Sequence, residues 1–339
     1  MSTPKQNFLK LVFNDDPHWL GDPFNCFNCS PLPPFLPFYL DAAGLSHNRV
    51  TKGGVGAPDA WGVIWDWPAD QPGPTPDNSS EEKRVIKDIT RWKEFFDYPD
   101  LDNLDWTDSL KMADGADREN KIVMVQSPRG MFEHSHAMMG FEYALESYML
   151  EPDDMYDFMS AYTDWKIKGA GLSIDKMKPD IMVNFSDWGA KHQMFLPPRV
   201  WREILKPHYD RFFKYIKSRG VIVMNHCDCY AADVCEDMVE MGIDIWQGAT
   251  PENNIPNVIE RTGGKLFIWG GVDMPGIDYP GVTEDVIRAH FRDILDKNAP
   301  TKRFLPMYSS WLPVYPGVKE IGCDEMEKYG AVVAKRVFG

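Results

Sequence analysis

From Lys121 onward, short apolar runs alternate with segments whose apolar residues recur at helical spacing, and no other feature constrains the fold as tightly. Strand, helix, strand is the pattern of βα units on a parallel sheet, because a parallel partner can be reached only through a long crossover. The runs KIVMV from Lys121, IMVNF from Ile181, VIVMN from Val221, IDIW from Ile243, KLFIW from Lys265 and RFLPM from Arg303 are the predicted strands. Between them, residues 198–219 carry apolar and aromatic side chains at helical spacing and stop at Gly220, and residues 232–241 do the same before Gly242. These six units, with one or two strands in the first 120 residues, bring the count to about eight. No glycine-rich dinucleotide or phosphate fingerprint follows any of them, which weakens an open doubly wound sheet. The expectation is an α/β chain folded as a (β/α)8 TIM barrel, a single domain over residues 1–339.

The first 120 residues differ in kind, being rich in Pro, Gly and Trp, with the loop-like stretch PADQPGPTPDNSS from Pro68. They are expected to form an elaborated N-terminal region that contributes the first strand and a lid over the barrel mouth. A formal net charge of −15 argues against nucleic-acid partners, whose phosphates need clustered Lys and Arg. The segment MSTPKQNFLKLVFNDD lacks the apolar run of a secretory signal, and no stretch of about 18 uncharged apolar residues occurs. A cytoplasmic protein with no membrane partner is therefore expected. Its six cysteines are too few for a disulfide framework in a chain this long and are expected to be reduced.

In a barrel of this kind the reacting groups stand just after the strands. Those positions hold Gln126 and Arg129, Ser186 and Asp187, His226, Asp228 and Cys229, Gln247, Asp273, and Tyr308 with Ser309 and Trp311. Alternation along an extended chain puts His226 and Asp228 on one face and Cys227 and Cys229 on the other. Imidazole and carboxylate are usual zinc ligands, so His226 and Asp228 offer two metal donors from one strand end, with no third evident. The two cysteines also read as small buried hydrophobes. Asp187, ahead of a proline-initiated helix, is a candidate general acid, metal ligand or helix cap. Cys26 and Cys29 form a lone C-x-x-C followed by prolines where a redox pair would open a helix, so packing is expected there. His134 and His136 are expected as partly exposed polar residues near the same mouth.

Eight passages, in order over nearly the whole chain, resemble the uroporphyrinogen decarboxylase superfamily. They are TPKQNFLKLVFNDDP, APDAWGVIWDWP, DITRWKEFFDYPDLDNLDW, GMFEHSHAMMGFEYALESYMLEPDDMYDFM, SDWGAKHQMFLPPRVWREILKPHYDRFFKYIKSRG, VIVMNHCDC, MGIDIWQ and KLFIWGGVDM. The superfamily contains tetrapyrrole decarboxylases and corrinoid-dependent methyltransferases. Its decarboxylases grip a polycarboxylate partly through arginines in an N-terminal R-x-x-G-R. Here no Lys or Arg occurs between Leu11 and Asn48, and desolvating a polyanion against FNCFNCSPLPPFLPFYL without counter-charge would be prohibitive. Its zinc-dependent thiol methyltransferases use H-x-C after one strand and a further Cys after the last. In this chain Asp228 stands where the first Cys belongs, Ser309 or Ser310 where the second does, and Cys323 lies too far along to replace it.

What remains is similar to the methyltransferases that open corrinoid-dependent O-demethylation of methoxylated aromatics in anaerobic bacteria; T-P-K-x-N-F-L from Thr3 and G-V-x-W from Gly62 fit that branch. The resemblance implies methyl transfer to the cob(I)alamin of a separate corrinoid protein. It implies His226, Asp228 and Asp187 as catalytic residues, Tyr308 as a weaker proton donor, and His226 and Asp228 as ligands if zinc binds. Phe24, Phe27, Phe35, Trp188 and Trp311 would hold the aromatic ring by stacking and apolar contact. The expected partners are the corrinoid protein and a small methoxylated aromatic, and a homodimer is compatible with the sequence. Two other classes stay open: a decarboxylase or lyase acting on a smaller substrate, and a non-catalytic binding member.

Overall fold

The computed structural model describes residues 3–13, 35–38, 50–71, 73–308 and 315–339, with only the backbone described for Pro4, residues 35–38, Met112 and Tyr308. Seven parallel strands lie among these residues: β1 (Phe35–Phe38), β2 (Ile122–Gln126), β3 (Ile181–Phe185), β4 (Ile222–His226), β5 (Ile245–Gln247), β6 (Phe267–Val272) and β7 (Phe304–Tyr308). They pair in strict sequence order, β1 to β7, each parallel to the next. Strands in this order with helices between them make the fold a TIM barrel. Each of the six strands expected after Lys121 is present, starting within two residues of its predicted position.

The alternation that marks these runs as strands also sorts their side chains. Ile122, Ile181, Val183, Met224, Ile245, Phe267, Trp269 and Leu305 gather in one cluster with Phe8, Leu11 and Val12. The intervening Val123, Val125, Met182, Val223, Trp246, Ile268 and Phe304 join a second cluster with the aromatic and aliphatic residues of the outer helices. The first set is the barrel interior, and the second is the face covered by helices. Helix Pro4–Phe13 closes the interior from one end: Phe8 is fully buried, with its ring centroid 6.1 Å from those of both Phe267 and Trp269.

On the outside, helix Pro152–Met177 opens with proline and has Asp153 and Asp154 in its first turn, where the exposed N–H groups favour negative charge. The helix expected over 198–219 runs from Pro198 to Ser218 and contains a π-helical turn, Trp201–Leu205. Residues 50–120 include a small antiparallel sheet, Gly54–Val55, Trp65–Trp67 and Thr75–Pro76. This segment is pinned beside the end of β2 by Asp59. Its buried carboxylate accepts the N–H groups of Trp61 (2.8 Å) and Val63 (3.0 Å) and the Trp65 indole (3.0 Å), and pairs with Arg129 at 3.0 Å. Residues 14–34 and 39–49, on which much of the expected lid falls, lie outside the described residues.

Two expectations change. His134 is fully buried inside helix Met131–Met139, stacked on Tyr162 at 3.8 Å and against Trp61 at 4.4 Å, because the helix turns that face toward the aromatic residues of its neighbours. Cys227, Cys229 and Cys235 are free and buried, whereas Cys323 is disulfide-bonded and departs from the all-reduced reading. Among the described residues no helix is long and apolar enough to cross a membrane.

Candidate functional site

The register of the sheet brings Phe185, His226, Gln247 and Trp269 to one level across β3 to β6. His226, the last residue of β4, continues the inward-facing row of Ile222 and Met224, and its side chain is 14% exposed. Its Nδ1–H donates to the Gln247 side-chain oxygen, which can only accept. That bond fixes the tautomer, so Nε2 carries its lone pair outward, 3.9 Å from Asp228 Oδ2. Gln247 is itself held by Met307, its Nε2 donating to the sulphur at 3.0 Å. The close approach needs Gly248, whose φ is +90° and where a Cβ would sit 3.2 Å from the imidazole.

Asp187 enters from β3, two residues past the strand end. Its Oδ1 accepts the Asp228 backbone N–H at 3.0 Å, tying the β3 and β4 exits together. It does not cap the helix at Pro198; the cross-strand bond has taken the carboxylate, so the capping role weighed for it falls away. Donor atoms of Asp187, His226 and Asp228 all lie within 4.8 Å of one another, so Asp187 is a candidate for the third donor that the H-x-D spacing lacked. The three fit a divalent cation such as zinc: a lone-pair nitrogen oriented by a second residue and two carboxylates on separate strands.

Glu133, absent from the sequence-based candidates, completes the electrostatics. Its carboxylate accepts the Ser186 hydroxyl at 2.8 Å and the Asp187 backbone N–H. Burial and then the Asp187 charge push it up to about 8. Burial and Asp187 likewise push Asp228 up to about 6. The signal for Glu133 was an acidic residue in the first turn of a helix that follows a strand, but only the fold sets that turn against the next strand's exit. Gly130 makes the contact geometrically possible, since a Cβ there would lie 2.0 Å from both Glu133 Oε2 and the Phe185 carbonyl.

Asp187 and Asp228 line a cavity of about 390 Å³ with Phe195, Val272, Met274 and Asp273. Cys229 lines it too, so the separation by alternation expected for Asp228 and Cys229 does not keep them out of one cavity past the strand end. Other candidates do not gather there. Trp188 is 1% exposed and packs on Trp201 (4.9 Å) and Tyr209 (5.3 Å), its indole donating to the Tyr209 hydroxyl. It is a core residue rather than a substrate platform, because it follows the outward-facing parity of the strand exit. Arg129 is consumed by the buried pair with Asp59. Tyr308 ends β7 with only its backbone described, Phe35 begins β1 likewise, and Phe24, Phe27, Ser309, Ser310 and Trp311 lie outside the described residues.

Barrel architecture and a polar group at the strand exits define the class: an α/β-barrel protein with its site at the mouth. The model of the family described as uroporphyrinogen decarboxylase (URO-D) matches residues 116–308, and the chain belongs to that family. No curated protein matches it significantly in sequence. Among solved structures, a methyltransferase from Methanosarcina mazei superposes with a TM-score of 0.61 at 12% identity, with both chains covered completely. At that identity the likeness is one of fold.

Proposed function

We propose that this chain is a methyltransferase that moves a methyl group from a methoxylated aromatic compound to the cob(I)alamin of a partner corrinoid protein. One observation carries the reading: Asp187 and Asp228, grouped with a pre-oriented His226, face a cavity with apolar walls sized for one small molecule. Among its described lining residues, Asp187, Asp228, Glu252 and Asp273 oppose Lys191 alone. Such a surface suits a neutral ether and repels a polycarboxylate.

Cob(I)alamin supplies the nucleophile, so the chain's task is the leaving group, a phenolate whose conjugate acid has a pKa of about 10. A divalent cation held by Asp187, His226 and Asp228 would supply Lewis acidity at the ether oxygen. Without that cation Asp228, which holds a proton more tightly than an ordinary carboxyl and is 37% exposed on the cavity side, is the proton donor to the ether oxygen instead. Gln247 keeps His226 in place, and Glu133 keeps Asp187 in place. In this reading Tyr308 is a second proton donor, and Phe24, Phe27, Phe35 and Trp311 hold the ring.

The test is anaerobic mixing of the protein, with zinc and chemically reduced cob(I)alamin, against a panel of methoxylated aromatics. The spectrum of methylcobalamin should grow with at least one donor and should vanish in His226→Ala. Carbon dioxide release from a carboxylated substrate without methylcobalamin would replace this reading with a lyase. Saturable binding without any product would replace it with a binding member of the family.

A further inference from the structure

Behind the His226–Asp228 face, the β4 exit presents its other parity. Cys227 is fully buried and Cys229 is 5% exposed, and their sulphurs are 3.2 Å apart. The Gly189 N–H donates to Cys229 Sγ at 3.1 Å, and the adjacent Trp188 N–H is directed at Cys227. Two consecutive backbone donors thus converge on two sulphurs, while burial, then the Cys229 sulphur and the Asp187 charge, hold the Cys227 thiol well above its ordinary range. Asp187 stands beside them, with a carboxylate oxygen within 4.8 Å of both sulphurs. Two sulphurs and a carboxylate oxygen in so small a volume are a donor set that a soft cation can occupy by displacing the thiol protons.

We propose that Asp187, Cys227 and Cys229 form a binding site for one soft divalent cation of the zinc and cadmium type, distinct from the His226–Asp228 side and sharing Asp187 with it. Zinc–sulphur bonds of about 2.3 Å at tetrahedral angles hold two thiolates about 3.8 Å apart. The observed pair need separate by only about 0.6 Å to reach that spacing, whereas a disulfide at about 2.05 Å would require them to close by more than about 1 Å. The sulphur pair selects a thiophilic ion over magnesium or calcium. Binding releases one proton from each thiol to solvent and leaves both sulphurs unoxidised. Cys229 and Asp187 both line the 390 Å³ cavity, so the fourth coordination position opens toward it and the ion has a way in. Nothing in this site depends on methyl transfer.

The experiment titrates the metal-free, reduced full-length protein with cadmium and then with cobalt, reading the ultraviolet thiolate-to-metal charge-transfer band. The band should saturate at one ion per chain and be lost in Cys227→Ser and in Cys229→Ser, each shown to be folded by circular dichroism. It should persist in His226→Ala, and Asp187→Asn should weaken binding by at least about 10-fold. Folded wild-type protein without the band would overturn the proposal, as would a band that survives both cysteine substitutions. Loss of the band in His226→Ala would place the ion in a mixed donor set and overturn the separate position. Failure of the methylcobalamin assay would leave every one of these outcomes readable.

Discussion

At the scale of single residues the site is organised by partners one step removed from the cavity. Gln247 accepts the proton on His226 Nδ1 and so decides which nitrogen faces outward. Replacing it with Leu keeps the bulk but removes the acceptor. Zinc affinity, measured by competition with a chromophoric chelator, should fall about 10- to 100-fold while the fold survives. Glu133 carries a pH signature. Its ordinary value is 4.5, and in the folded protein it is held up to about 8. As pH rises past 4.5 the unfolded chain loses this proton while the folded chain keeps it, so folding is increasingly penalised until the pH passes about 8. The metal-free protein should therefore lose stability across that window, and Glu133→Gln should flatten the dependence above about pH 6, where Asp228 no longer contributes, in melts recorded at successive pH values. A wild-type melting curve that stays level from pH 5 to 8.5 (an interval chosen to span roughly the Glu133 window) would refute the assignment.

At the scale of elements, the strand exits are shaped by backbone conformations that only glycine adopts easily. Gly248, at φ +90°, lets β5 turn away beneath the imidazole. Gly248→Ala should cost at least about 1 kcal/mol in backbone strain and press a methyl group onto His226. Chemical denaturation should show the loss of stability, and metal affinity should fall with it. The helices contribute differently. The first turn of Met131–Met139 projects Glu133 across to the β3 exit, while the rest of that helix buries His134 among aromatics. One short helix therefore serves both site and core, and its alternation of polar and apolar residues does not reveal which polar group goes where.

At the scale of the whole molecule, the barrel interior is a packed column with the site at one end and helix Pro4–Phe13 at the other. Phe8 fills the base, and Phe8→Ala should cost about 3–5 kcal/mol, read as a fall in the denaturation midpoint. Because the mutation lies at the opposite end from the cavity, metal affinity of the fraction that remains folded should be unchanged. The pair of Asp59 and Arg129 ties the segment around Asp59 to the loop after β2, on the mouth side of the barrel.

The sequence by itself determined the parity of the strands. Side chains point to alternate faces of a strand with a period of two whatever the neighbours are, so the six apolar runs after Lys121 and the separation of His226 and Asp228 from Cys227 and Cys229 were legible from local pattern alone. Membership of the barrel class followed from the repeated strand-and-helix alternation. What only the tertiary structure decided is which polar groups meet. Glu133 and Asp187 are 54 residues apart, and Asp187 and Asp228 are 41 apart. Their contacts depend on the stagger between neighbouring strands and on the turn of a helix, neither of which has a local signature. The same holds for Trp188 and His134, whose polar neighbours suggested the mouth and whose burial was set by helices packing from elsewhere in the chain. Local chemistry chooses the face of a strand, but the free energy of a buried charge depends on everything that surrounds it, and that is a property of the assembled fold.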